Sequence, residues 1–429
     1  MIALVNANAL HIPLAPRSVN CSVFSPPYWC LRDYGIDGQL GLEKTPEEYV
    51  MHMVEVCREV KRVLRDDGTV WLNLGDSYAN ERSWGGKSGQ KNYTSDAGGY
   101  PRHKVGPGLG NKQLVGIPWR VAFALQADGW WLRAALPWIK RNAMPESADD
   151  RPGQAVEYVF LLAKSPRYFF DMDAVRMGFA DERMGDLGSY KRVTAVERKA
   201  NNDRQDLGFL NNGGGWTNGE KNGGRNWRNS DLFFTSLQAI LDGGNGMLHD
   251  GENPLALAVN TVSYPGAHFA TYPPALVEPC IRAGTSEAGV CPKCGKPWER
   301  VIEKGEAVPR PDNPNPVNPY SAGSGHTNGH GATTLHKQRA TTTKGFIPAC
   351  SCNAGDPVPA LVLDPFNGSG TTGQVARSLG RNYVGLDLSF SYLHQQARER
   401  LGLTALEAWV NGRKVEQQEP ADLGPLFGF

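Results

Sequence analysis

Residues 360–388 limit what this chain can become more than any other stretch does. Ala360-Leu361-Val362-Leu363-Asp364 reads as an apolar strand ending on a carboxylate, and Pro365-Phe366-Asn367-Gly368-Ser369-Gly370 as a tight loop. Thr371 to Leu379 has helical spacing, and Asn382 to Leu388 is a second strand with Asp387 near its end. A strand, glycine loop and helix put free backbone N–H groups and a close-approach surface at the carboxyl end of a parallel sheet. A carboxylate about twenty residues past such a loop can accept both hydroxyls of a ribose. The unit predicts a nucleoside-bearing ligand. The plainer alternative is a βαβ turn whose glycines serve only tight packing.

Gly368-Ser369-Gly370-Thr371-Thr372 lacks the lysine that a phosphate loop needs. A carboxylate at the loop entrance, Asp364, suits a ligand with an ammonium group better than one with phosphates. S-adenosylmethionine has both a ribose and an ammonium.

The N-terminal part repeats the same grammar. Val19 to Phe24 is a short buried strand, and Pro46 to Leu64 carries Tyr49, Met53, Val56, Val60 and Val63 at helical spacing behind a possible N-cap at Thr45. Asp66-Asp67-Gly68 reads as a turn and Thr69 to Leu74 as another strand. Trp130 to Ile139 and Glu157 to Ala163 look like further strands.

The first of these strands runs into Ser25-Pro26-Pro27-Tyr28-Trp29. Two prolines fix φ and remove two N–H donors, which leaves backbone carbonyls rigidly presented as acceptors. Ser25 adds a hydroxyl that also accepts, and Tyr28 a flat face for stacking. That set suits a planar base with an –NH₂ group, whose lone pair is delocalised into the ring. Acceptors that hold the amine protons in tetrahedral directions localise the lone pair without reorganisation at the moment of transfer. A base inside a duplex cannot reach such a site, so flipping is implied. The alternative is a rigid surface turn with two exposed aromatics.

Composition adds limits. The chain has 429 residues, 40% of them hydrophobic, enough for one large domain with insertions or two domains. A net charge of +1 announces no nucleic-acid partner, so a local basic surface would have to bind one. The N-terminus lacks a signal peptide and no apolar run is long enough for a bilayer, which predicts a soluble, cytoplasmic protein without a membrane partner. Asn and Gly dominate the stretch after residue 176, with Arg192, Arg198, Lys199, Arg204, Lys221, Arg225 and Arg228 recurring around Trp216 and Trp227. This is either a disordered insertion or a segment facing nucleic acid. Residues 303–348 are rich in Pro, Gly and Thr and read as a loop.

Eight cysteines are too few and too unevenly placed for a disulfide scaffold of this length. Cys291-Pro292-Lys293-Cys294-Gly295 is a zinc-knuckle signature, and Cys350-Ser351-Cys352 can complete a four-sulfur tetrahedron for a structural Zn²⁺. His326, His330 and His336 stand as substitute ligands, and two unrelated thiol pairs are the alternative.

Phe24-Ser25-Pro26-Pro27-Tyr28-Trp29 together with Asp364-Pro365-Phe366-Asn367-Gly368-Ser369-Gly370-Thr371-Thr372 resembles the DNA amino-methyltransferases. The catalytic motif precedes the cofactor motif, as in the permuted beta group. His268-Phe269-Ala270-Thr271-Tyr272-Pro273-Pro274-Ala275-Leu276 resembles that group's additional cofactor-side motif. The resemblance covers roughly residues 1–176 and 255–402. It implies an α/β fold of the S-adenosylmethionine-dependent methyltransferase Rossmann-like type with a seven-stranded sheet. It also implies that Ser25, Pro26, Pro27 and Tyr28 form the catalytic motif, and that His268 lies on the cofactor side. Asp364, Phe366 and the loop of Gly368, Ser369, Gly370, Thr371 and Thr372 would hold the methionine end, and Asp387 the ribose. Ala7-Asn8-Ala9-Leu10 departs from the Gly-Asp pair of many relatives, which removes a carboxylate from that turn.

The expected organisation is a catalytic half at 1–176, a target-recognition insertion at 177–254, a cofactor half at 255–290 and 355–405, a zinc-binding insertion at 291–354, and a C-terminal tail at 406–429. The expected reaction is site-specific methylation of double-stranded DNA, with N4 of cytosine favoured through Ser25 and N6 of adenine as the alternative. A separate restriction endonuclease is a possible partner. Three rivals remain: a ring-carbon cytosine methyltransferase using Pro279-Cys280, a non-catalytic zinc-dependent DNA-binding protein, and an RNA methyltransferase.

Overall fold

The computed structural model describes residues 1–79, 108–140, 143, 146, 148–175, 246–249, 254–258, 272–308, 338–403, 407–410 and 413–415. Most of 177–254, together with His268, His326, His330 and His336, lies outside them.

One sheet organises the chain. In sequence order its strands are β1 (Ile2–Asn6), β2 (Val19–Phe24), β3 (Leu64–Leu74), β4 (Trp131–Ile139), β5 (Val156–Ala163), β6 (Gly246–His249), β7 (Pro254–Ala258), β10 (Leu361–Asp364), β11 (Asn382–Asp387), β12 (Glu407–Val410) and β13 (Arg413–Val415). A separate two-stranded sheet joins β8 (Trp298–Val308) to β9 (Gln338–Pro348). The spatial order of the large sheet is β13-β12-β1-β11-β10-β2-β3-β5-β4-β7-β6. Its middle, from β1 to β4, is the expected set of seven strands. All neighbours there are parallel except around β5, which runs antiparallel to both β3 and β4.

Helices cover both faces. On one, α1 (Pro46–Val63) buries Tyr49, Met53, Val56, Val60 and Val63, as its periodicity predicts. Thr45 caps it by accepting from Glu48 N, Pro46 fills the first turn, and Lys61 and Arg62 sit at the negative end of the helix dipole. α1 packs beside α2 (Ile117–Ala127). On the other face lie α3 (Pro274–Gly284), α4 (Thr371–Ser378) and α5, whose turns Phe390–Tyr392 and Arg398–Arg400 flank a π-helical turn at Leu393–Ala397. β2 is buried along its whole length and β10 and β11 nearly so, as central strands covered on both faces are.

Three expectations change. Asp66-Asp67-Gly68 is no free turn but a bulge inside β3, where pairing with β2 jumps from Val19↔Leu64 to Cys21↔Thr69. The stretch read as a loop at 303–348 carries strand at both ends, because Thr341, Thr342 and Thr343 pair with Lys304, Glu303 and Ile302. The tail is not wholly appended: β12 pairs with β1 at Val5↔Glu407 and turns back through β13.

Candidate active site

β10 continues to β11 on one side, whereas its other neighbour β2 continues to β3 in the opposite direction. The crevice between β10 and β2 is therefore the switch point of the sheet, where open α/β folds place their ligands. Both sequence motifs open into it. β2 ends at Phe24 and runs into Ser25, and β10 ends at Asp364 and runs into the glycine loop. The Phe24 and Phe366 rings meet across the crevice with centroids 5.8 Å apart. Ser22 Oγ donates to Leu363 O at 3.0 Å, which ties the two strands together beneath them.

The glycine loop is pinned from three sides. Asn367 N donates to Leu386 O at 2.7 Å, and Asn367 Oδ1 accepts from Tyr383 Oη at 2.8 Å. Asp387 accepts from Gly368 N on one oxygen and from Ser389 N on the other, both at 2.8 Å. Arg400, on α5, donates to Ser369 Oγ and Thr371 Oγ1 at 3.1 Å each. Gly370 enters α4 at φ +82°, a left-handed conformation that a side chain would strain.

Asp364 lies beneath this loop, 1% exposed. It accepts from Phe366 N at 2.9 Å and stands 2.7 Å from Thr372 Oγ1 and 3.1 Å from Tyr272 Oη, two hydroxyls that also touch each other and so share two protons among three contacts. Burial pushes its carboxyl up to about 7, and Asp387 is likewise raised by burial to about 6. Asp364 thus faces the loop's own donors rather than open solvent. The remaining lone pairs of Asp387 are the carboxylate acceptors at the loop's edge. Asn8, in the turn that departs from the family, accepts from Leu10 N at 2.9 Å, and Asn6 Nδ2 donates to Asp387 O and Leu388 O at 2.9 Å each.

On the other side of the crevice Pro26 is buried, while Ser25, Pro27 and Tyr28 are half-buried. Tyr49 Oη, from α1, donates to Pro27 O at 2.9 Å and fixes the proline turn from below. Tyr28 Oη donates to Glu157 Oε2 at 2.7 Å. Asn73 Nδ2 faces Tyr28 Oη at 2.9 Å, Glu157 Oε2 at 3.0 Å and Ser25 Oγ at 3.3 Å. Lys140 Nζ closes the group with an ion pair to Glu157 Oε1. Gly75 makes room for this: a Cβ there would stand 2.6 Å from Tyr28 Cε2 and 3.1 Å from Glu157 Oε1. Asn73, Lys140, Glu157 and Arg400 were missed by sequence reasoning. The signal available for Asn73 and Glu157 was one polar residue inside each of two apolar strands, TVWLNL and VEYVFLLA.

Cys280, the thiol of the ring-carbon alternative, is 2% exposed inside α3. Its thiol donates to Leu276 O at 3.3 Å, and burial holds its pKa well above the usual range. A thiol kept protonated between helix and sheet is no nucleophile for a base.

The four cysteines of the two tight pairs converge. Cys291, Cys294, Cys350 and Cys352 place their sulfurs within 4.8 Å of one another. Gly295 N donates to Cys291 O and Cys291 N to Lys296 O, which forms the tight knuckle turn. The knuckle rests on the sheet through Asn20 Nδ2, 3.3 Å from Gly295 O. No helix among the described residues is long and apolar enough to cross a membrane.

A family model for DNA methylases matches residues 19–291 and 346–399. The type II methyltransferase M.SfiI of Streptomyces fimbriatus is 34% identical over 401 residues, which span 89% of this chain and 86% of that protein. M.Cfr9I of Citrobacter freundii, another type II methyltransferase, is 32% identical over 386 residues, 89% of this chain and 80% of that protein. Among solved structures, the cytosine-N4-specific PvuII DNA methyltransferase aligns over 94% of this chain and 88% of its own, at 14% identity and a TM-score of 0.45. Motifs, crevice and relatives agree: the chain belongs to the DNA methylase family and is an S-adenosylmethionine-dependent DNA amino-methyltransferase of restriction-modification type.

Proposed function

We propose that the enzyme methylates N4 of a flipped cytosine in double-stranded DNA. The observation that carries this reading is Ser25, a neutral hydroxyl at the end of β2 where the motif's carboxylate or amide variants would stand. In the resembling family a serine at this position is associated with cytosine amino methylation, while an Asp or Asn is more typical of adenine enzymes, although serine also occurs in some of those. When bound, S-adenosylmethionine would supply a methyl group on a positively charged sulfur: the new N–C bond replaces the S–C bond, a neutral thioether leaves, and the proton lost by the amine goes to water. The chain's own residues hold the reactants. Ser25 and the Pro26 carbonyl accept from the amine, Tyr28 stacks on the ring, and the Phe366 loop and Asp387 hold the cofactor. Asp364 organises that loop from beneath. The order of the motifs makes this the permuted arrangement.

Two further assignments belong to this reading. Cys291, Cys294, Cys350 and Cys352 hold a structural Zn²⁺, supported by four convergent thiols; tetrahedral Zn–S bonds of about 2.3 Å fit such a cluster. The insertion at 177–254 recognises the DNA sequence, and a separate restriction endonuclease is the partner that fits a methyltransferase of this type.

Nuclease digestion of DNA methylated by the purified enzyme, followed by mass spectrometry of the nucleosides, tests the base. N4-methylcytosine is expected. N6-methyladenine without N4-methylcytosine overturns the assignment and leaves the methyltransferase in place.

A further inference from the structure

Hydrogen-bond arithmetic around Tyr28 fixes more than its position. A phenol has one proton, and Tyr28 gives it to Glu157 Oε2 at 2.7 Å. A carboxylate accepts only. With its proton committed, the Tyr28 oxygen can only accept, and two donors face it: Asn73 Nδ2 at 2.9 Å and the Ser25 hydroxyl at 3.3 Å. Ser25 also has one proton, and it points toward Tyr28. What Ser25 has left for the crevice is lone pair.

We infer that Glu157 is a positioning residue that sets the polarity of the chain Ser25→Tyr28→Glu157, so that Ser25 meets the target amine as a hydrogen-bond acceptor. The inference rests on the reading of Ser25 as an amine acceptor. A hydroxyl alone does not define a direction, since it donates as readily as it accepts. Facing an –NH₂ group, a donating serine would set proton against proton. The acceptor-only group at the far end of the chain removes that option.

The surroundings keep Glu157 in this state. Lys140 pairs with Oε1, so the positive charge engages the oxygen that Tyr28 does not use. Lys140 itself lies 4.6 Å from the centroid of the Trp138 ring. Asn73 Nδ2 only donates: it has two protons for three facing acceptors, Tyr28 Oη, Glu157 Oε2 and Ser25 Oγ, and whichever it engages, it never asks Tyr28 or Ser25 for a proton. Tyr28 stays a neutral phenol because burial, and then the Glu157 charge, push its pKa well above the usual value. An ion pair that merely joined β4 to β5 would need only Oε1. Oε2 serves the motif that follows β2, 129 positions away in sequence.

The test is a double-mutant cycle in the full-length enzyme, read by single-turnover tritiated methyl transfer to unmethylated plasmid DNA. Cofactor affinity by calorimetry and plasmid affinity by filter binding are measured on every variant. Glu157→Gln offers a donor to Tyr28 and frees the phenolic proton to turn toward Ser25. It is expected to slow transfer by roughly 10²-fold while both affinities stay within about twofold. Ser25→Ala is expected to slow transfer similarly, and adding Glu157→Gln to it to cost less than about threefold more, because nothing remains to be oriented. Tyr28→Phe keeps the Glu157–Lys140 pair and breaks the chain, so it covers the case in which Glu157→Gln fails to fold, and its loss should likewise vanish in the Ser25→Ala background. Wild-type transfer in Glu157→Gln, or losses that multiply in the double variants, overturn the inference. Wild-type transfer in Ser25→Ala overturns the acceptor reading itself, and the inference with it.

Discussion

Phe24 and Phe366 touch across the crevice with their ring centroids 5.8 Å apart and their planes inclined by 34°. One ring ends the strand that carries the base motif, and the other sits in the loop of the cofactor motif. The two motifs are thus registered through a hydrocarbon contact, with polar groups on either side of it.

Shortening that contact should uncouple the two motifs. Phe366→Ala removes a half-buried ring packed against the core on the α1 side of the sheet. It is expected to lower stability by about 2 kcal/mol, below the range for a fully buried phenylalanine. Transfer should fall further than cofactor affinity does, since alignment is lost along with contact. Chemical denaturation and single-turnover transfer measure the two quantities, and an unchanged transfer rate would show that the pair is only packing.

Asp387 should make cofactor binding depend on pH. Burial raises its carboxyl to about 6, and a cofactor with a net positive charge favours the ionised form. Affinity is therefore expected to rise from pH 5 to pH 7 as Asp387 loses its proton. Asp387→Asn should weaken binding about tenfold at neutral pH, about 1.4 kcal/mol, and give a shallower slope. Calorimetry across that range decides, and a slope identical to wild type would place the titrating group elsewhere.

Asp364 acts on stability in the opposite sense. Its folded carboxyl is raised to about 7 by burial, against about 3.9 in an unfolded chain. The native state therefore holds this proton more tightly. The contribution is fully present below about pH 4 and is lost as pH rises through about 7. Without cofactor, the melting temperature should fall between pH 5 and pH 8. Asp364→Asn should flatten that fall in part, leaving the smaller contribution of Asp387. An unaltered slope in thermal melts of the variant counts against this assignment.

The cysteine cluster predicts about one zinc per chain. Cys291→Ser should lose the metal and loosen the knuckle from Asn20, lowering the melting temperature by several degrees. Elemental analysis of protein purified without chelators is the check, and metal-free protein with an unchanged melting temperature sinks the zinc assignment.

What the sequence made visible was local. The helix α1 announces itself through Thr45, Pro46 and five apolar residues one turn apart, and β10, its loop and α4 through an apolar run that breaks at Gly368 and Gly370. The cysteine pairs were legible because ligand spacing is short range. Glu157 was not, because its meaning depends on an antiparallel strand that brings it to Tyr28 across 129 positions. The tail strands β12 and β13 were hidden for a related reason: β12 pairs with Val5 and Asn6, some four hundred positions away in sequence, and β13 pairs only with β12. The Thr-rich β9 reads as a loop until its partner β8 supplies the hydrogen bonds.

The position of β10 has a consequence for how the enzyme comes into being. This strand fills the middle of the sheet, between β2 and β11, yet it is synthesised long after β2. Until residues 361–364 leave the ribosome, β2 has a bare edge and the base motif stands beside an unfilled slot. Synthesis and sheet closure are thereby separated by more than three hundred residues of waiting. A chain interrupted before that point keeps its Ser-Pro-Pro-Tyr turn but has no second wall against which to hold a cofactor, so a prematurely terminated product is a sticky edge and never a half-active enzyme.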